Sequence, residues 1–199
     1  MFTGLIQYVG TVKSQIHIGS GIRFSIEIGA LWSSIKIGDS IAINGVCLTV
    51  VKKRKPIVEL EAVEETLRKT TLENFKIGQK INCELPLRPN DFVGGHFVLG
   101  HTDCVGKIIA IKKLSSSWLY SIKMPEKFVD YIISRGSIAI DGISLTIAEK
   151  EKNIFRISII PHTFAHTNFS TLTIGSEVNL EFDVLGKYII QSEIFKQKV

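Results

Sequence analysis

The chain has 199 residues, 45% of them hydrophobic and 22% charged, with a formal net charge of +5. That composition supplies packed cores and excludes a disordered chain, and no apolar run approaches the roughly 18 residues of a membrane span. Three widely spaced cysteines, an odd number, exclude a disulfide framework and offer no Cys-x-x-Cys pair for zinc or redox work. No basic stretch leads into an apolar one at the N-terminus, so the expected location is cytoplasmic. The basic residues are scattered. Their one cluster, Lys52 to Lys55 before Pro56, reads as a solvated hairpin loop, not a nucleic-acid surface.

In chain order, Ile22, Phe24, Ile26 and Ile28 alternate with polar residues, the period of a half-buried strand. Ala30–Ile35 follows as a short helical piece. Val58, Leu60 and Ala62 give a second alternating run, Glu64–Leu72 a second helical piece, and Ile81, Cys83 and Leu85 a third run. Pro86, Pro89, Gly94 and Gly95 mark a linker. Beyond it, Pro125 sits at a helical first position, with Phe128, Tyr131 and Ile132 on one face and Gly136 as a stop. Phe155 to Ile159 and Val178 to Phe182 alternate again, with a helical piece over Thr163–Phe169 between them. The tail places Tyr188, Ile189, Ile190, Ile194 and Phe195 at helical spacing, a stripe that must pack on the barrels or on copies of itself.

These runs repeat. SIAINGVCLTV, Ser40–Val50, returns as SIAIDGISLTI, Ser137–Ile147, at an offset of 97 with seven of eleven positions identical. Thr66, Thr70, Gly78, Asn82 and Glu84 recur at the same offset. Gly4, Val9 and Gly10 recur at 96, as Gly100, Val105 and Gly106. The chain is therefore one unit written twice. It divides into residues 1–88, a linker 89–96, residues 97–185 and a helical tail 186–199. Short strands between glycine-bearing turns make each unit a sandwich or a closed barrel.

The candidate chemistry lies in a few stretches. GGHFVLGHTDC carries His96, His101 and Cys104, but the spacing fits no common zinc pattern. His162 and His166 stand four apart without the glutamate of a zinc helix. No metal is expected. For His96 the plainer reading is a structural hydrogen bond in a glycine-rich crossing. For His101 a functional role is preferred, because Gly100 would let a ligand approach the backbone. Cys47 and Ser144 occupy matching places, as a pocket-lining thiol and hydroxyl or as small packing residues. Which histidine comes near Cys47 is open at this level. Thr49 and Thr146 are identical across the repeat.

MFTG, NGVCLTV, GGHFVLGH, DGISLTI and the paired TLRKT and TFAHT segments resemble the riboflavin synthase family, alpha-chain type, over essentially the whole chain. The resemblance implies an all-β protein of two tandem homologous six-stranded Greek-key β-barrels, each binding a lumazine, with a C-terminal α-helix that joins a homotrimer. It implies a transferase that uses two molecules of 6,7-dimethyl-8-ribityllumazine. A four-carbon unit passes from one to the other, giving riboflavin and 5-amino-6-ribitylaminouracil without metal or redox cofactor. Association with lumazine synthase is a further expectation, and no nucleic-acid or membrane partner is expected.

By the same resemblance the N-terminal half-site uses Phe2, Gly4, Leu5, Ile6, Ser40, Cys47, Leu48 and Thr49, then Glu61, Ala62, Val63, Glu64, Glu65 and Thr66. The C-terminal half-site uses Gly100, His101, Thr102, Arg135, Ser144, Leu145 and Thr146, then Ile160, Pro161, His162, Thr163, Phe164 and Ala165, with Asp141 and Asp183 as polar contacts. The catalytic candidates are Cys47, His101, Ser144, Thr146, Ser40, His96 and Asp183. Leu99, Arg135, Ala165 and Asn168 depart from the family's usual residues. The rival expectation is a non-catalytic lumazine- or flavin-binding protein of the same fold.

Overall fold

The computed structural model describes residues 1–196; residues 197–199 and the side chain of Ile194, a member of the predicted stripe, lie outside the described residues. The first unit contains β1 (Tyr8–Ile18), β2 (Gly21–Glu27), β3 (Ser40–Ile43), β4 (Val46–Arg54), β5 (Ile57–Ala62) and β6 (Lys80–Glu84). They close antiparallel in the order β1-β2-β5-β4-β3-β6. The second unit contains β7 (Cys104–Lys113), β8 (Trp118–Lys123), β9 (Ser137–Ile140), β10 (Ile143–Glu151), β11 (Ile154–Ile159) and β12 (Glu177–Phe182), closed in the same cyclic order. Even the irregularities repeat. Register shifts at Val12/Ser14 and Val50/Lys52 recur at Ile108/Ala110 and Ile147/Glu149. A bulge bends a strand and raises its twist, and here it marks where each sheet curls shut.

Alternation sets the inside of each barrel. Phe24, Ile26, Val58, Leu60 and Ile81 are buried in the first; Tyr120, Ile122, Phe155, Ile157 and Leu180 are buried in the second. Each fully buried Ile or Phe contributes roughly 1.5–3 kcal/mol. Cys83 and Cys104 are core residues, and burial pushes both thiols up to about 12, so neither is a nucleophile.

The helical pieces depart from their sequence patterns. Gly29–Ser34 and Glu126–Tyr131 are 3-10 turns. Pro125 precedes the second turn in extended backbone, Ile132 leaves it extended, and the left-handed position after it belongs to Arg135 (φ 66°), not Gly136. α1 (Glu64–Lys69) and α2 (Pro161–His166) are single α-helices that break at Thr70 and Thr167, whose hydroxyls turn back to the carbonyls of Thr66 and Thr163 at 2.7 Å. The basic cluster closes β4 and is not wholly solvated. Lys53 caps the carbonyl of Ile35 and lies 4.1 Å from the Trp32 ring centre. α3 (Val184–Lys196) exposes Leu185, Tyr188, Ile189 and Phe195 along one side.

The two barrels meet across a pseudo-two-fold axis. Phe2 and Val98, each leading into its own unit, exchange both backbone hydrogen bonds at 2.7 and 3.1 Å. Asn82 donates from its side chain to the Asp141 carbonyl, and Asn179 donates likewise to the Asn44 carbonyl, both at 2.9 Å. The same amides accept from the backbone N–H groups of Asn168 (2.7 Å) and Thr71 (2.8 Å). Gly45 and Gly142 face each other so closely that a Cβ on either would fall within 2.8 Å of the other's backbone nitrogen. Nearly every buried polar group here is paired, which orients one barrel on the other as apolar packing alone would not.

Candidate active site

Each unit begins with a segment that its own barrel grips and that leans on the other barrel. At the first, the Glu84 carboxylate at the end of β6 accepts from the backbone of Thr3 (2.7 Å) and Gly4 (3.1 Å) and from the Thr3 hydroxyl (2.8 Å). At the second, Glu181 at the end of β12 accepts from the backbone of Leu99 (2.6 Å), Gly100 (2.9 Å) and His101 (2.9 Å). Burial pushes both carboxyls above their ordinary range, and the N–H donors oppose that push.

The far side of each segment crosses over. The Gly4 carbonyl accepts from Ser144 N–H on β10 at 2.8 Å, and the Gly100 carbonyl accepts from Cys47 N–H on β4 at 2.9 Å. Gly4 therefore belongs beside Ser144, and Gly100 beside Cys47, the reverse of the expected grouping. The reason is the two-fold pairing of Phe2 with Val98, which carries each lead-in segment across the axis. Gly4 and Gly100 have left-handed backbones (φ 77° and 81°), and a Cβ on either would stand 2.5 Å from the Cβ of Ser144 or Cys47. The barrel-on-barrel packing alone thus requires glycine at Gly100.

Two cradles result. The first brings together Cys47, Leu48 and Thr49 of β4 with Gly100, His101 and Thr102; Ser40 lies opposite Thr49 in the β3–β4 ladder. Cys47 is half-buried, Leu48 buried, and Thr49 and His101 exposed. The second brings together Ser144, Leu145 and Thr146 of β10 with Gly4, Leu5 and Ile6, and adds a residue from the linker. That residue is His96, whose Nδ1 lies 2.7 Å from Ser144 Oγ. Gly95 permits this, since a Cβ there would strike the Thr3 carbonyl at 2.1 Å and Ser144 Oγ at 2.9 Å. Burial holds the His96 imidazole below its ordinary value, against a weaker upward pull from Asp183, so the ring is neutral at pH 7. Its Nε2 and the Thr102 hydroxyl are buried without a partner among the described residues.

The segments after β5 and β11 form the outer rims. Ala62 is buried, Val63 is exposed, and α1 turns Glu64 and Glu65 outward, where Glu65 pairs with Lys69. Glu61 is held by Arg23 at 2.6 Å. Opposite, Ile160, Pro161, His162 and Ala165 are exposed, Thr163 is half-buried, and Phe164 stacks on Trp118 with centroids 4.0 Å apart. Arg135 is exposed, its N–H bonded to the carbonyl of Ile147 at 2.8 Å. Asp183 is half-buried and accepts from Leu185 N–H as α3 begins.

Two candidates sit elsewhere. Phe2 is fully buried against Ala42, Val98 and Ala139, so it is a junction residue and not a pocket wall. Asp141 is also buried; its carboxylate is taken up by Asn179 N–H (2.8 Å) and the Asn168 amide (2.7 Å). Sequence reasoning gave no functional weight to Glu84, Glu181, Asn82 and Asn179, although all four recur in the repeat. It also passed over Trp118, which carried no motif. Among the described residues no cluster of three or more His, Cys, Asp or Glu side chains could hold a metal ion, and no helix is long and apolar enough to cross a membrane.

Two crossed cradles in tandem barrels define a class. The lumazine binding domain model matches the chain twice, over residues 3–86 and 99–183. Riboflavin synthase of Actinobacillus pleuropneumoniae is 43% identical over 192 residues, covering 96% of this chain and 89% of that protein. The Chlamydia muridarum and Bacillus subtilis riboflavin synthases are 41% and 39% identical, with 92% and 88% of their lengths covered. Crystal structures of LumP complexed with riboflavin and with 6,7-dimethyl-8-(1'-D-ribityl) lumazine superpose with TM-scores of 0.85 and 0.84 at 28% and 27% identity, covering 92% of this chain and 99% of theirs. The chain belongs to the tandem-barrel lumazine-binding family, and within it to the riboflavin synthases.

Proposed function

We propose that the protein is a riboflavin synthase that takes two molecules of 6,7-dimethyl-8-ribityllumazine, one in each kind of cradle, and moves a four-carbon unit between them. The observation that carries this reading is the pairing of two cradles with matching backbone crossings and different side chains, Cys47 in one and Ser144 with His96 in the other. Two copies of one substrate call for two similar cradles, while donor and acceptor call for different chemistry. In this reading Gly4–Ile6, Ser144–Thr146 and Ile160–Ala165 hold one ring, and Gly100–Thr102, Cys47–Thr49 and Glu61–Thr66 hold the other.

Both cradles of one chain lie against the same junction, and the rim residues Val63, Glu64, Ile160 and Pro161 are exposed. We therefore place the reacting pair between neighbouring chains, with the exposed stripe of α3 joining a homotrimer. Much of the rate comes from holding the rings face to face, worth up to roughly 7–11 kcal/mol in well-oriented cases. Ser144 and neutral His96 are placed to move a proton or present a nucleophile, since a neutral imidazole accepts a proton from a hydroxyl 2.7 Å away. His101 and Thr146 flank the two cradles as further candidates. Arg135 offers a cation beside β10. Asp183 acts on His96 through its charge.

The deciding experiment is incubation of chelator-treated protein with the lumazine, following riboflavin absorbance. Riboflavin and the pyrimidine should form in equal amounts. Tight binding without turnover would instead favour the non-catalytic reading, which the likeness to LumP keeps in view. A cytoplasmic location, and association with lumazine synthase, complete the reading; cell fractionation and co-sedimentation test them.

A further inference from the structure

The C-terminal barrel carries a charge pair that its twin lacks. Asp103 lies just before β7, and its Oδ2 accepts from Phe182 N–H at 2.9 Å. At the matching place in the first barrel, Gln7 Oε1 accepts from Leu85 N–H at 3.0 Å. A neutral amide thus serves that backbone contact equally well. The aspartate's charge has another partner, Lys187 on the first turn of α3, whose Nζ is 2.6 Å away. Both side chains are only about a fifth exposed, at 22% and 23%, so the pair is far less screened than a surface bridge.

The pair stands next to the carboxylate that holds the site. Glu181, one residue before Phe182, binds the N–H groups of Leu99, Gly100 and His101. Asp103 and Lys187 are the charged side chains that act on it: Asp103 works against its ionised form and Lys187 favours it. Lys127 and Lys187 face the neighbouring Cys104 thiol. Removing Lys187 would leave two carboxylates crowded at the root of the Gly100–His101 segment with no cation between them. In the first barrel Glu84 does the same work beside a neutral Gln7 and needs no such cation.

We propose that Lys187 is a positioning residue, by which α3 clasps Asp103 and keeps the Gly100–His101 segment seated on the Cys47 strand. The tail helix then has a role within its own subunit besides any in assembly. The activity readout rests on the riboflavin synthase reading.

The test compares wild-type protein, K187M and D103Q/K187M in full-length form. Met keeps the helix propensity and the apolar stem of Lys while removing the charge. The double variant rebuilds the arrangement of the first barrel. K187M should lose about tenfold or more in kcat/KM, as misplaced site groups do, with unchanged assembly by light scattering. D103Q/K187M should recover to within about threefold of wild type, a coupling that only interacting residues show. Wild-type activity in K187M, activity lost together with assembly, or a double variant no better than K187M would each overturn the clasp. Wild-type protein that makes no riboflavin would fail the functional reading instead. The same three proteins would then be compared by quenching of riboflavin fluorescence, with weaker binding in K187M and recovery in the double variant expected.

Discussion

The Cys47 cradle and the Ser144 cradle are built to one plan. Each takes a β-strand from one barrel, a glycine in left-handed backbone from the other unit, and a glutamate that pins the crossing segment. They differ where chemistry would occur. Ser144 has a histidine at 2.7 Å, delivered by the linker through Gly94 and Gly95; among the described residues Cys47 has no such partner. Duplication thus preserved the frame and let the reactive groups diverge, which is how one fold can hold two copies of a substrate in unequal roles.

The largest expected effect breaks that inequality. His96→Ala should lower kcat by about 10²–10⁴-fold if His96 handles a proton in the transition state. Cys47→Ser makes the first cradle resemble the second; it should leave lumazine binding intact and lower turnover by much less, on the order of tenfold. Stopped-flow absorbance separates binding from turnover. Equal losses in the two variants would remove the distinction between the cradles.

Next in size is the shared frame. Gly100→Ala places a Cβ 2.5 Å from that of Cys47 on a left-handed backbone, and Gly4→Ala does the same at Ser144. Each should cost roughly 1–3 kcal/mol or more of stability and disable its own cradle. Thermal melts and riboflavin titration check this. A Gly100→Ala protein with unaltered melting and binding would mean that the crossing is loose. The crossing also changes what an isolated first barrel can do. Residues 1–88 contain Cys47–Thr49 but not Gly100, so they should bind riboflavin at least about tenfold more weakly than the full chain. Extending the piece to residue 103 should recover part of the loss.

The barrels were legible because their signal is local. Alternation of apolar and polar residues marks strands within a few residues, and a repeat at offset 97 doubles every such sign. The crossing was not, because it depends on which unit's lead-in segment reaches which barrel. Phe2 and Val98 decide that by pairing with each other, 96 residues apart, and nothing in MFTG announces a partner. In the sequence Gly100 reads as room for a ligand and Asp141 as a polar contact, and the structure shows both serving the junction. Glycine and buried acid look alike in sequence whether a ligand or a second barrel fills the space beside them. The helical pieces after β5 and β11 read past Thr70 and Thr167 in the sequence, because the threonine that ends each one back-bonds within its own turn.

The last expected effect leaves activity aside and concerns the junction itself, where the two-fold relation is imperfect. Asn44 in the first barrel stands where the second has Asp141, and Thr71 stands where it has Asn168. Both Asn44 and Asp141 accept from the backbone of an asparagine on the last strand, Asn82 at 2.7 Å and Asn179 at 2.8 Å. Asp141 takes a second donor, the Asn168 amide, which Asn44 does not among the described residues. Burial raises the Asp141 carboxyl from its ordinary 3.8 to about 7, with the two donors opposing. Between those values the folded protein holds a proton that the unfolded chain has released. The contribution of Asp141 to stability is therefore most favourable below about pH 4, falls as the pH rises towards 7, and levels off above it. Replacing Asp141 by Asn alone would turn an amide N–H₂ towards that of Asn168, costing roughly 1–3 kcal/mol. The double change D141N/N168T rebuilds the first barrel's pair and removes the titrating group. Its stability by denaturant melts should gain on wild type by a few kcal/mol between pH 4 and pH 7 and stay parallel above. Curves that run parallel throughout would show that Asp141 does not titrate in that window and that the asymmetry of the junction has no electrostatic consequence.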